Sequence, residues 1–247
     1  MQLEGTVALV TGGAKRVGRA IVLELAAGGC DVGIHYHTSH NEAERLATEV
    51  ADLGRRAVTI RADLSDPTCC AGIVEETVSR LGRLDILINN AAIFPGRGSD
   101  GVDEFDPDLW ERIHRINLLA PMALSRFAKG YLESRGSGRI INLCDAASDR
   151  PWPTHLGYFA SKAGLAALTK GLAKAMAPGI QVNGVAPGIA VFPDDYDEET
   201  RRRLTDVVPL KRAGSPKDVA KAVRFLVEHG DYITGEIMAV DGGRSLQ

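Results

Sequence analysis

Thr6-Val7-Ala8-Leu9-Val10-Thr11-Gly12-Gly13-Ala14-Lys15-Arg16-Val17-Gly18 is the stretch that decides the fold. Its first five residues are mostly apolar and rich in β-branched side chains, the composition of a strand. Thr11-Gly12-Gly13 interrupts that run at once. Beyond Arg16, the apolar residues Val17, Ala20, Ile21, Leu23, Leu25 and Ala26 recur with helical spacing until Gly28-Gly29 stops them. A glycine turn between a strand and a helix lets backbone approach a phosphate, and the helix start supplies free N–H groups and a positive dipole end. Gly12, Gly13 and Gly18 do not spell the GxGxxG fingerprint, so position in the chain, rather than the string alone, carries the reading.

The same alternation continues to the end of the chain. Further strands are expected at 31–35, 57–60, 84–89, 139–144, 180–185 and 235–240. Helices are expected at 41–53, from Asp66-Pro67 to Leu81, at 107–133, from Tyr158 to about Ala177, and from Ser215-Pro216 to His229. Asp66 is suited to cap a helix and Pro67 to open it. Pro121 should kink the long helix or mark a break in it. The segment 187–209 reads as irregular, although its acids followed by Arg201, Arg202 and Arg203 have the charge order of a solvated helix. Seven strands alternating with helices specify an α/β fold: one Rossmann-like doubly wound domain over 1–247, a parallel sheet covered on both faces. In such sheets ligands bind beyond the carboxyl ends of the strands. The residues just after the strands therefore belong to one site.

Composition narrows the function. The chain has 247 residues, 45% of them hydrophobic and 25% charged, enough to bury a core without staples. Its net charge of −3 gives no reason to expect nucleic acid or an anionic membrane as partner. Cys30, Cys69, Cys70 and Cys144 form no CxxC pair and read as small apolar residues of a reducing cytoplasm. No His/Cys/acid cluster suggests a metal. No basic-then-apolar leader is visible at the start, and no apolar run nears the roughly 20 residues of a membrane helix.

The end of the second strand, His35-Tyr36-His37-Thr38-Ser39, holds no carboxylate for a ribose 2′-hydroxyl. Lys15, Arg16 and Arg19 stand on the neighbouring turn. Arg16 or His35, with the hydroxyls of Thr38 or Ser39, can meet a 2′-phosphate, so NADP(H) is expected rather than NAD(H). Tyr158 and Lys162 lie four apart, on one face if helical. An ammonium there favours the phenolate and lowers the tyrosine pKa, which makes the pair a candidate proton donor. Asp145 falls directly after the fifth strand, in the same site.

With Thr11-Gly12…Gly18, Asp63, Asn89-Asn90-Ala91-Ala92, Asn117, Tyr158-Phe159-Ala160-Ser161-Lys162, Pro187-Gly188 and Asp241-Gly242-Gly243 in this order, the chain resembles a short-chain dehydrogenase/reductase over essentially its whole length. The resemblance implies that Val17 and Gly18 belong to the cofactor turn and that Asp63 and Leu64 flank the adenine. It implies that Asn90, Ala91 and Ala92 line the cofactor cleft, and that Pro187 and Gly188 abut the nicotinamide. Asn117 would interrupt its helix and hold a water in a proton relay. Lys162 would bind the nicotinamide ribose, and Tyr158 would donate the proton. A homotetramer is implied as well, through the helices near 107–133 and 158–177 and the C-terminal segment.

Two departures from the family pattern sharpen the expectation. Asp145 replaces the usual serine thirteen residues before the tyrosine, and Arg16 replaces a glycine. Both resemble the pteridine reductase branch, as do Lys15-Arg16-Val17-Gly18-Arg19 and Ile34-His35-Tyr36-His37. Phe94 matches an aromatic residue of that branch that stacks on the pterin. Ala190 and Val191, with Asp194 and Asp195, match its substrate loop. Thr38 and Ala190 depart from that branch, which often has Arg and Ser there. A pterin is flat and nitrogen-rich: an aromatic face suits its ring, and a carboxyl can accept from ring N–H groups or, protonated, donate. The expected substrate is a dihydropterin, dihydrofolate or an oxidised pterin, with Arg16 a further contact. The rival is a ketone such as a 3-oxoacyl thioester, and a third reading is a non-catalytic NADP-binding sensor. Trp152 either shapes the pocket wall or pins a loop, and His114 and His155 read as structural.

Overall fold

Strand periodicity assigns the side chains of the first strand to two different cores. In a computed structural model, which describes residues 1–95, 100–103, 105–134, 136–193 and 196–246, β1 spans Val7–Val10. Ala8 and Val10 face one layer of helices, while Val7 and Leu9 face the other. The other strands are β2 Asp31–Tyr36, β3 Ala57–Arg61, β4 Ile86–Asn89, β5 Gly138–Leu143, β6 Ile180–Pro187 and β7 Ile237–Val240. All pair in parallel, in the order β3-β2-β1-β4-β5-β6-β7. The order reverses between β1 and β4, which is the switch point where such a sheet opens a crevice.

The helices are α1 Arg16–Ala27, α2 His40–Asp52, α3 Cys70–Leu81, α4 Pro107–His114, α5 Ala120–Glu133, α6 Leu156–Met176, α7 Glu198–Asp206 and α8 Pro216–His229. One core packs α1, α2 and α8 on the sheet, through residues such as Ile21, Leu46 and Leu226. The other packs α3, α5 and α6, through Ile73, Leu124 and Leu172. No helix among the described residues is long and apolar enough to cross a membrane.

Local chemistry sets several boundaries. Asp66 accepts from the Thr68 N–H at 3.0 Å, with Pro67 next, but it starts a short 3₁₀ turn that precedes α3. Ser215 and Asp218 form a reciprocal capping box at α8. The expected break at Pro121 is a π-helical turn, Arg115–Leu119, between α4 and α5. In a regular α-helix the Asn117 carbonyl would accept from residue 121, and proline has no N–H to give. The segment read as irregular contains α7, capped by Asp197, with two acids in its first turn and no buried residue. The four cysteines are free, and three of them are buried. Asp194 and Asp195 lie outside the described residues.

Candidate active site

At the carboxyl ends of the strands, one cleft of about 920 Å³ runs from the β1–α1 turn to the C-terminal segment. Almost every residue singled out from the sequence lines it. On one side stand Gly12, Lys15, Arg16, Val17 and Gly18, facing His35, Tyr36, Thr38 and Ser39, then Asp63 and Leu64. Asn90, Ala91 and Ala92 form the middle. Phe94, Asp145, Tyr158, Lys162, Pro187, Gly188, Ala190 and Val191 form the other side. Asn117 is an exception. It is buried behind the wall, where its side chain accepts from the Ile93 N–H at 2.9 Å and donates to the Ile93 carbonyl at 3.1 Å and to Ser161 Oγ at 3.0 Å.

The glycine turn is held from beneath. Asn90 Nδ2 donates to the carbonyls of Thr11 and Gly12 at 2.8 and 3.0 Å, and Thr11 Oγ1 accepts from the N–H groups of Asn90 and Ala91. A Cβ on Gly18 would collide with the Gly12 carbonyl and stand 2.7 Å from Asn90 Nδ2, so only glycine lets the turn close this tightly. The N-terminus of α1 has no side-chain cap, which leaves its first N–H groups to the cleft. Arg16 takes φ 49°, the left-handed conformation that a glycine adopts easily and an arginine does not.

His35 differs from its expected role. It is 2% exposed, and its ring is fixed at both nitrogens. The Gly12 N–H donates to Nδ1 at 3.2 Å, so Nε2 carries the proton and donates to the Ala62 carbonyl at 3.2 Å. Burial lowers its pKa to about 4. A neutral ring with both nitrogens engaged has no charge to offer a phosphate. It supports the glycine turn instead, helped by its own carbonyl, which accepts from Gly13. Asp63 keeps a low pKa, first because it accepts from the Ser65 N–H, and its carboxylate lies 3.6 Å from His37 Nε2.

Across the cleft, Tyr158 Oη donates to Asp145 Oδ2 at 3.0 Å. The other oxygen of Asp145 accepts from the Ala147 N–H at 2.8 Å. Burial raises the Asp145 pKa, against the opposing pull of Ala147, Tyr158, Lys162 and Arg244. Burial, and then Asp145, push the Tyr158 phenol well up. Lys162, expected to depress this phenol, does not do so. Its Nζ donates to the Leu143 carbonyl at 2.6 Å and lies 5.8 Å from the ring centroid of Tyr158. Tyr158 therefore stands as a protonated donor against a carboxylate that burial makes basic.

Phe94, 43% exposed, meets Tyr158 edge-on at 4.8 Å and packs on His155 at 4.4 Å with the two rings tilted by 38°. His155 takes φ 61° and is buried beside Asp100, with Nδ1 3.3 Å from Oδ1. Asp100, absent from the expected set, holds the start of α6. Its carboxylate accepts from the Tyr158 N–H at 3.2 Å and its carbonyl from Leu156. No local sequence signal marks it, because its partners are reached only through the fold. Trp152 lines the cleft and packs on Phe159. His114 is structural in its contacts, bonding through Nδ1 to the Trp110 carbonyl. No group of metal ligands occurs among the described residues.

Residues 12–245 match the family described as Enoyl-(Acyl carrier protein) reductase. The 3-oxoacyl-[acyl-carrier-protein] reductase FabG of Staphylococcus aureus is 34% identical, over 96% of this chain and 96% of its own. The crystal structure of FolM Alternative dihydrofolate reductase 1 from Brucella canis, complexed with NADP, superposes with a TM-score of 0.93 at 34% identity, covering 100% of this chain and 96% of that one. A blue fluorescent protein from a metagenomic library, in complex with NADPH, superposes at 0.91 with 38% identity, over 99% of both chains.

Proposed function

Since the chain belongs to the short-chain dehydrogenase/reductase family, we propose that it is an NADPH-dependent reductase of a pterin: a dihydropterin, dihydrofolate or an oxidised pterin. The observation that carries this reading is the 3.0 Å hydrogen bond from Tyr158 to Asp145. A carboxyl beside the proton donor suits a ring with N–H groups; beside a developing alkoxide it is repulsive. The cofactor half fits NADP(H), as both solved neighbours hold it. The uncapped start of α1 lies at the cleft and would hold the pyrophosphate, while Lys15, Arg16, Thr38 and Ser39, which line the same end, would hold a 2′-phosphate. Leu64 and Asp63 would then hold the adenine, Lys162 the nicotinamide ribose, and Pro187 with Gly188 the carboxamide.

When bound, NADPH supplies the hydride. The chain's own residues supply the rest. Phe94 offers an aromatic face, and Arg16, Ala190 and Val191 border the same pocket. Tyr158 delivers a proton to the ring nitrogen, and Asp145 orients the phenol and accepts from a neighbouring ring N–H. The side chain of Asn117 is committed to Ile93 and Ser161, so a proton relay through this residue uses its main-chain carbonyl, next to Pro121. Assembly as a homotetramer accords with the exposed Met122, Phe127 and Tyr131 of α5.

The second reading, reduction of a 3-oxoacyl thioester, is favoured by the Staphylococcus aureus relative. Following NADPH absorbance with dihydrobiopterin, dihydrofolate and an acetoacetyl thioester separates the two. Turnover of a pterin is expected; turnover of the thioester alone rejects the pterin reading. NADPH binding with no turnover of any of the three would make the protein a sensor.

A further inference from the structure

Beyond the last strand, Asp241-Gly242-Gly243-Arg244-Ser245 folds back over the cleft. Asp241 holds this turn rigid, accepting from the N–H groups of Gly243 at 2.9 Å and Ser245 at 2.7 Å. Gly242 and Gly243 take φ 67° and 87°, the left-handed conformations that let the chain turn so sharply. The turn ends by presenting Arg244 to the cleft, with its Cζ 5.1 Å over the ring of Trp152. The guanidinium is half-buried, and burial lowers its pKa. Asp145 and Asp241 are close enough to favour its charged form, yet neither makes a salt bridge with it. A partly desolvated cation over a tryptophan ring, whose guanidinium makes no hydrogen bond among the described residues, is a recognition group for an acceptor.

Sheet order says where that acceptor lies. The glycine turn and His35 stand over β1 and β2, Asp145 follows β5, and Arg244 follows β7 at the opposite edge. A substrate whose reacting bond sits beside Tyr158 thus has its remote end towards Arg244. We propose that Arg244 is a specificity residue that pairs with a carboxylate carried by the substrate at the end away from the reduced bond. This rests on the pterin reading and deepens it: the preferred pterin carries an acidic tail, as dihydrofolate does, rather than a neutral one.

The test compares wild type with Arg244→Met, which keeps an apolar stem against Trp152, and with Arg244→Lys, on dihydrofolate and dihydrobiopterin. The ratio of kcat/KM for dihydrofolate over dihydrobiopterin is expected to fall about tenfold or more in Arg244→Met, through KM rather than kcat, and to recover partly in Arg244→Lys. An equal loss on both substrates, or a moved pH profile of kcat, would make Arg244 a partner of Asp145 and overturn the proposal. Absence of turnover by wild type would defeat the pterin reading itself. In that event, calorimetric titration of the NADP⁺-loaded protein with 4-aminobenzoyl-glutamate, which bears the carboxylates without the pterin, decides the anion role. Binding lost in Arg244→Met supports it, and no difference between the two proteins refutes it.

Discussion

The two halves of the cleft share one sheet edge but are built differently. The cofactor half is made by backbone. Gly12 and Gly18 bring main chain to the cleft, while Asn90, Thr11 and His35 clamp the turn from below with part-buried hydrogen bonds. The substrate half is made by side chains on loops: Phe94, Asp145, Trp152, Val191 and Arg244, several of them exposed or half-buried. A backbone site is a fixed shape that suits one constant ligand. A side-chain site can be re-specified by single substitutions without disturbing the sheet.

If that contrast holds, damage in the first half should cost stability and cofactor together, and damage in the second should cost chemistry alone. The largest effect is expected for Gly18→Ala. The added methyl has no room between the Gly12 carbonyl and Asn90, so the fold should lose about 3 kcal/mol and NADPH affinity should drop at least about tenfold. Chemical denaturation and NADPH titration would show it; a variant with unchanged melting and affinity would break the contrast. Next comes Asp145→Ser, which should lower kcat/KM for a pterin roughly 10- to 100-fold and leave the NADPH Kd within about twofold. Equal losses in both quantities would mean that the two halves are not separable.

The smallest effect sharpens the comparison from the cofactor side. The pKa of His35 is about 4 when folded, against 6.5 for an ordinary histidine. Its neutral form is therefore stabilising in full above the ordinary value, and that contribution is lost as pH falls towards 4. Between pH 7 and 6 the loss should be about 0.7 kcal/mol, absent from His35→Asn. Denaturation curves at the two pH values, in both proteins, test this. An identical slope would remove His35 from beneath the glycine turn.

The same contrast explains what could be read from the chain alone. Strand and helix alternation is written locally, in periods of two and of 3.6, so the sheet and its seven strands were legible. The glycine turn was legible for the same reason, being contiguous. Asp145 and Tyr158 could be paired because a strand end and a helix start fix them within thirteen positions. His35 was misassigned because periodicity says that a residue ends a strand, not that its ring turns inward to a carbonyl 27 residues away. Asp100 and Arg244 were missed because each meets the site through a loop closure that leaves no pattern in sequence. The effect of Lys162 on the phenol was overestimated because spacing puts two side chains on one face without fixing where an ammonium finds its acceptor.

One contact has a mechanical consequence. The acid that fastens the first turn of α6 comes from the loop following β4, which also carries the aromatic face opposite the phenol. Phe94 and Asp100 thus both bear on Tyr158. Reshaping that loop to admit a bulkier ring will tilt the tyrosine as well, so substrate range and turnover in this protein should drift together rather than be tuned one at a time.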